Sequence, residues 1–294
     1  MAGYTYEIIT DTCSNLSDKI AKLHGIKIMG FPYTIDKEEH TDDPRAKTFE
    51  IKDVYELLKN KADVKTSLIN SINIEEFLEQ FLKEGKDVIY LTISGGISGT
   101  YQNGVLAVKN LEEKYPERKI FVVDSLSGSF TQGILALMAA KKRSEGKSIT
   151  EVNEYIKNLR HYATHDFTID NLFFLRRSGR VSNSTALIGT LAMIKPMFTL
   201  EKDGKLVVYQ KVNGRKKSLS LMLENFKKKV DPQNADYIGI VHGDCEDEAK
   251  TLKDRIKEMF PKSEILFDYL TPLVGSHTGP GAIGILYIAK EKRA

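Results

Sequence analysis

The chain has only two cysteines, Cys13 and Cys245, and their wide separation supplies neither a disulfide framework nor a metal-type spacing. A reducing compartment fits that scarcity. No apolar run approaches the roughly 20 residues that a membrane-spanning helix needs, so no transmembrane segment is expected. The opening MAGYTYEIITDT lacks a basic stretch followed by an apolar core, so no signal peptide is expected and a cytoplasmic protein is predicted. A strong charge imbalance is lacking as well. The 43 basic and 40 acidic side chains leave a formal net charge of +3, which gives no reason to expect nucleic acid as a partner. Repeats and low-complexity tracts are absent.

What is present is the composition of a soluble globular protein, 41% hydrophobic and 28% charged. Tyr6–Asp11, Ile26–Tyr33, Asp87–Ile93 and Ile120–Asp124 read as strands. Asp87–Ile93 carries the apolar run Val88–Leu91, as expected when helices cover both faces. Helices are predicted from the Ser14–Ser17 caps to His24, over Ile51–Lys59 and Ile74–Lys83, and after Gly99 and Ser129. Glu38–Lys47, charged and containing Pro44, reads as a surface loop. Strands alternating with helices predict an α/β fold whose first lobe is a doubly wound, mainly parallel sheet.

The second half differs. Lys195–Glu201 and Lys205–Lys211 flank Lys202-Asp203-Gly204, a hairpin signal. A helix is expected at Ala186–Met193, and strands at Tyr237–His242, Glu264–Leu270 and Gly284–Ala289 alternate with further helices. A mixed-sheet α/β lobe is predicted, with the boundary between Lys147 and Asp166: residues 1–160 in one lobe and 161–294 in the other.

Candidate chemistry sits in loops. Thr10-Asp11-Thr12, Ser94-Gly95-Gly96 and Asp124-Ser125 lie at strand carboxyl ends, where open parallel sheets bind ligands and helix N-termini favour anions. Serine and glycine are equally good cap and turn residues, so both readings stand. The Ser94–Thr100 loop matches neither dinucleotide nor P-loop spacing and is not a nucleophile elbow. Gly275–Gly281 dictates a tight path around His277, which could donate to a carboxylate or merely brace a turn. His242 and Asp244 lack further ligands at metal spacing. Arg176–Arg180 reads as a basic, glycine-containing turn, and Arg176, Arg177 and Arg180, like Arg215-Lys216-Lys217, suit carboxylate or phosphate, or a solvated surface.

Taken in order, these motifs resemble the DegV family. They are Ile9–Thr12, Thr66-Ser67, Ile93–Gln102, Val123-Asp124-Ser125, Leu175–Arg180, Ile194-Lys195-Pro196, Asp203-Gly204 and His277–Gly281. The sequence departs from the family pattern at Ser67–Ser71, at Gly95, where a second serine is common, and at Ser178. The resemblance implies a bacterial protein that holds a long-chain fatty acid between its two lobes. It implies the carrier subunit of a fatty acid kinase, presenting the carboxylate to a separate ATP-dependent catalytic subunit that makes acyl phosphate for phospholipid synthesis. Thr66, Ser94 and His277 are the implied carboxylate ligands, supported by Gly95, Ser98, Thr100 and Gly279. Arg177, Arg180 and Arg215 are implied at the partner or ligand surface. No cofactor, metal or catalytic residue is expected in the chain. Ile188, Leu191, Met193, Met197 and Phe198 are candidates for the tunnel wall and are equally readable as core. The alternatives are an enzyme acting on a small phosphorylated or carboxylated metabolite, and an interaction module whose loops are only turns.

Overall fold

Four apolar segments find each other as parallel strands. In the computed structural model, which describes residues 4–45, 49–181 and 193–293, β1 (Tyr6–Asp11) is flanked by β2 (Ile26–Met29) and β6 (Asp87–Thr92). β7 (Ile120–Asp124) closes the sheet, in the order β2-β1-β6-β7. Ile8 pairs with both Ile26 and Ile89, and Ile89 with Phe121, all in parallel register. Helices α1 (Asp18–His24), α3 (Ser71–Lys83) and α4 (Thr100–Lys114) belong to this half. Ser17 caps α1 as predicted, while Asn70 caps α3 and starts it at Ser71, three residues before the predicted Ile74.

The predicted strand Ile26–Tyr33 is two strands. Gly30 lies between them, at a point where a side chain would run into Thr41. Beyond it, β3 (Phe31–Ile35) leaves for a small antiparallel sheet with β4 (Glu38–Asp42) and β5 (Val64–Thr66). The predicted loop at Glu38–Lys47 therefore begins as a strand. It is joined to β3 by a two-residue turn with positive φ at Asp36 and Lys37. Its charge is that of an exposed edge strand, which has no apolar face to show in sequence. Between β4 and β5 lies α2 (Ile51–Lys59), as predicted.

Helix α5 (Ser129–Ser144) joins the halves. Every residue from Ser129 to Ala140 is buried, and the helix packs against β1 and β6 on one side and β8 (Ala163–Thr168), β11 (Tyr237–His242) and β13 (Ile283–Ile288) on the other. An apolar surface all round is what such a sandwiched helix needs. Gly133 and Gly239 permit the approach: side chains there would collide with the Ser14 carbonyl and with Phe130. After α6 (Ile149–Leu159), residue 160 falls in the turn leading to β8 (Ala163–Thr168).

The second sheet comprises β8, β9 (Ile194–Leu200), β10 (Leu206–Asn213), β11 (Tyr237–His242), β12 (Glu264–Tyr269) and β13 (Ile283–Ile288). Its order is β10-β9-β8-β13-β11-β12, antiparallel except for the parallel pair β11–β12, so it is mixed as predicted. The helices are α7 (Phe173–Ser178), α8 (Arg215–Lys229), α9 (Glu246–Met259) and α10 (Pro272–Thr278). Two predicted turns are helices. Arg176-Arg177-Ser178 closes α7, which Gly179 ends in the left-handed conformation. Gly275–Thr278 belongs to α10, opened by Pro272 at its first turn, so His277 stands in a helical turn. Residues 186–192 of the helix predicted at Ala186–Met193 lie outside the described residues, as do Ile188 and Leu191.

Candidate ligand cavity

The strand ends of the first sheet, the faces of β8 and β13, and the β9–β10 hairpin surround a cavity of about 1130 Å³. Phe167, Leu175, Val241, Leu273, Ile283 and Leu286 are among its apolar walls. Exposed residues that also line it, Leu68, Arg180, Glu201 and Lys205, mark its mouth. The walls are therefore supplied by both halves of the chain. Of the described tunnel candidates, Met197 and Phe198 are fully buried core and Met193 is exposed; none of these three lines the cavity. Phe198 instead backs the wall, stacked on Phe167 at a centroid distance of 5.1 Å.

Thr66 and His277, 211 positions apart in sequence, meet at the cavity with Thr66 Oγ1 and His277 Nε2 2.8 Å apart. Thr66 is set by β5, where it pairs with Tyr33; His277 is set by the last turn of α10. Gly279 ends that helix at φ +77, and a side chain there would strike the Phe174 ring. Burial, aided by the positive charges of Arg180 and Arg177, pushes the His277 imidazole down to about 4. The ring is thus neutral at pH 7, and the pair offers uncharged hydrogen-bonding groups in a field of positive sign.

The Ile93–Thr100 loop is organised differently. Ser94 is fully buried and is not among the lining residues, whereas Gly95, Gly96, Ser98 and Gly99 are. The Ser94 hydroxyl donates to the Gly204 carbonyl at the β9–β10 tip (2.9 Å) and accepts from the Gly96 amide (3.1 Å). Thr100, buried at the start of α4, shares a 3.0 Å hydrogen bond with Ser98. The Ile93 amide donates to Asp11 Oδ2 (3.0 Å), and the Gly95 amide to Asp124 Oδ1 (3.1 Å). Burial raises Asp11 to about 6 against the pull of Gln132, Ile93, Cys13 and Tyr90, and it raises Asp124 as well. The motifs at the three strand ends are thus one structure, in which two carboxylates occupy loop amides that a ligand anion would otherwise use. A phosphate placed here would meet acidic side chains and engaged donors.

The arginines separate into two groups. Arg180 lines the cavity and is exposed. Arg177, also exposed, lies over the Phe173 and Phe174 rings at 5.6 and 5.8 Å. Arg215 is elsewhere: it forks onto Glu248 at 2.7 Å, with Asp170 at 3.6 Å, and is not among the lining residues. Arg215, expected at a partner or ligand surface, thus stands away from the cavity, in an ion pair tying α8 to α9.

Sequence reading missed His165, which lines the cavity with Nε2 3.1 Å from the Gly128 carbonyl and is pushed down to about 3 by burial. It also missed the wall residues on β8 and β13. His165 and Phe167 sit two apart on β8, and that spacing was the available signal. Among the described residues, no helix is long and apolar enough to cross a membrane.

Comparison with known proteins gives a consistent picture. Residues 5–290 match the DegV family, described as uncharacterised. A DegV domain-containing protein of Clostridium perfringens is 34% identical over 287 residues, 98% of each chain. Among solved structures, a fatty-acid-binding DegV family protein from Thermus thermophilus superposes with a TM-score of 0.85 at 25% identity, covering 97% of this chain and 99% of that one. A fatty-acid-binding DegV family protein from Streptococcus agalactiae gives 0.84 at 27% identity, covering 99% and 100%.

Proposed function

Because the chain belongs to the DegV family, we propose that it holds one long-chain fatty acid in this cavity and presents the carboxylate to a separate kinase subunit. The observation that carries the reading is a large, mainly apolar cavity with the Thr66–His277 pair on its wall. Each methylene taken from water contributes about 0.8 kcal/mol, so the chain, lying against residues such as Phe167, Ile283 and Leu286, supplies most of the gross affinity. The carboxylate cannot share that apolar wall unpaired, since a buried charge without donors is very costly. Thr66 and His277 act as its donors once their mutual hydrogen bond opens, joined by Ser94 once that hydroxyl leaves Gly204. Gly95, Ser98, Thr100 and Gly279 shape the surrounding backbone.

In this reading the chain performs no chemistry itself. The catalytic subunit directs a carboxylate oxygen at the terminal phosphorus of ATP, ADP leaves, and acyl phosphate results for phospholipid synthesis in the cytoplasm. Arg177 and Arg180, exposed near the mouth, face the partner. The metabolite-enzyme reading loses support, because Asp11 and Asp124 occupy loop amides at the strand ends. Mass spectrometry of lipid extracted from the purified full chain, followed by titration with oleate and palmitate, tests the proposal. A fatty acid is expected in the extract; no extracted acyl chain and no binding of either acid would overturn it.

A further inference from the structure

The β9–β10 hairpin is anchored along its length and tied at its tip. Midway along β10, the Tyr209 hydroxyl donates to the Asp166 carboxylate and accepts from Asn225 Nδ2 at 2.9 Å. The described pairing of β9 with β8 is confined to Phe198 opposite Phe167 and Met197 opposite Thr168, and β10 is a sheet edge with a register shift between Val208 and Gln210. The hairpin beyond Phe198 therefore reaches past β8, and its residues Leu200, Leu206 and Val207 line the cavity. Its tip fits the Ser94 loop backbone to backbone. A side chain on Gly96 would meet Gly204 within 2.6 Å, and one on Gly204, whose φ is +75, would lie 2.0 Å from Ser94 Oγ. The Ser94 hydroxyl completes the junction by donating to the Gly204 carbonyl.

A serine hydroxyl has one proton to donate. Ser94 spends it on Gly204 and is fully covered there, so a carboxylate can receive that hydrogen bond only by displacing the hairpin tip. We propose that Ser94 is a single-donor latch, which holds the β9–β10 tip through the Gly204 carbonyl until a fatty-acid carboxylate accepts that hydrogen bond in place of Gly204 and the tip is released. The latch rests on the fatty-acid reading above and adds to it a loading signal, displayed at the surface by exposed Lys202 and Asp203.

Hydrogen–deuterium exchange of the delipidated full chain, with and without oleate, tests this. In the wild type, oleate binding is expected to speed exchange over Lys202–Leu206 by roughly threefold or more, while α5, the internal control for folding, keeps its protection. Ser94→Ala should leave the tip fast in both conditions and weaken oleate binding. Gly204→Ala should also leave it fast, but retain or tighten oleate binding, because the hydroxyl no longer has to be won from Gly204. Oleate that binds while the tip stays unchanged or slows overturns the latch alone. Loss of oleate binding in Gly204→Ala as deep as that in Ser94→Ala overturns it equally. Failure of the wild type to bind oleate removes the fatty-acid reading and the latch together.

Discussion

On one side of the cavity, the Ile93–Thr100 loop turns its amides onto the protein's own carboxylates, Ile93 to Asp11 and Gly95 to Asp124. On the other, Thr66 and His277 share a single 2.8 Å hydrogen bond, and the charges felt by the ring are those of Arg180 and Arg177. Both sides are built from small polar residues, yet only the second has hydrogen-bonding groups facing the cavity under a positive field. The comparison teaches that a glycine- and serine-rich strand end is no anion site by composition alone. What matters is whether its amides are already engaged.

The largest test of that difference is His277→Ala. Losing a hydrogen bond to a charged group is worth about 1.5–3 kcal/mol, so oleate affinity should fall by roughly 10- to 100-fold in a titration. Ser98→Ala, on the opposite side, should change it by less than about threefold. If the ranking is reversed, the assignment of the two sides is wrong.

The next test separates the sides by stability. Asp11 is completely buried and accepts from the Ile93 and Cys13 amides and from Gln132. Asp11→Asn turns one acceptor into a donor facing an N–H, and should destabilise the fold by about 1–3 kcal/mol in urea unfolding. His277→Gln should cost less, since its site is only partly enclosed.

Acid sharpens the contrast, because the two groups carry opposite signs. The folded His277 ring titrates near 4 rather than 6.5, so the unfolded chain binds more protons between those values. Its contribution is complete above pH 6.5 and is lost as the pH falls toward 4. Asp11 is raised to about 6 from 3.8, so the folded chain takes up its proton first and gains stability as the pH falls through 6. Urea midpoints at pH 7 and pH 5 should therefore show His277→Gln losing less stability on acidification than the wild type. Asp11→Asn should lose more. Identical pH responses in all three chains would count against these titrations.

Much of this was legible in the sequence, and what escaped has a physical pattern. β6, β7 and β11 announce themselves because both faces are covered and the whole run is apolar. Glu38–Asp42 hides because an exposed edge strand resembles a loop. Two helix ends, at Ser178 and Thr278, read as turns because a glycine that terminates a helix also signals a turn. The Thr66–His277 meeting came through family resemblance; no local pattern links residues so far apart. Ser94 shows the opposite limit. Its neighbourhood was foreseen, but its partner, a carbonyl 110 positions away on a hairpin tip, depends on tertiary packing alone. Cavity walls fared worst, since a strand face lining a cavity and one filling a core are spelled in the same residues.

The smallest effect on binding is expected at Arg177, and it bears on which part of the second side touches ligand. Its guanidinium rests over the Phe173 and Phe174 rings and, at 3.4 Å, donates to the Val64 carbonyl just before Thr66. It is exposed, so its charge reaches a bound carboxylate through solvent-screened space. Arg177→Ala should therefore weaken oleate binding by less than about threefold, while raising the His277 pKa slightly by removing one of the charges that depress it. Because Arg177 faces the partner in the proposed reading, the same variant, fully loaded with oleate, should support acyl phosphate formation several-fold more slowly at limiting catalytic subunit. Loss of oleate binding comparable to that of His277→Ala would make Arg177 a headgroup ligand, and would move the boundary between cavity and partner surface inward past α7.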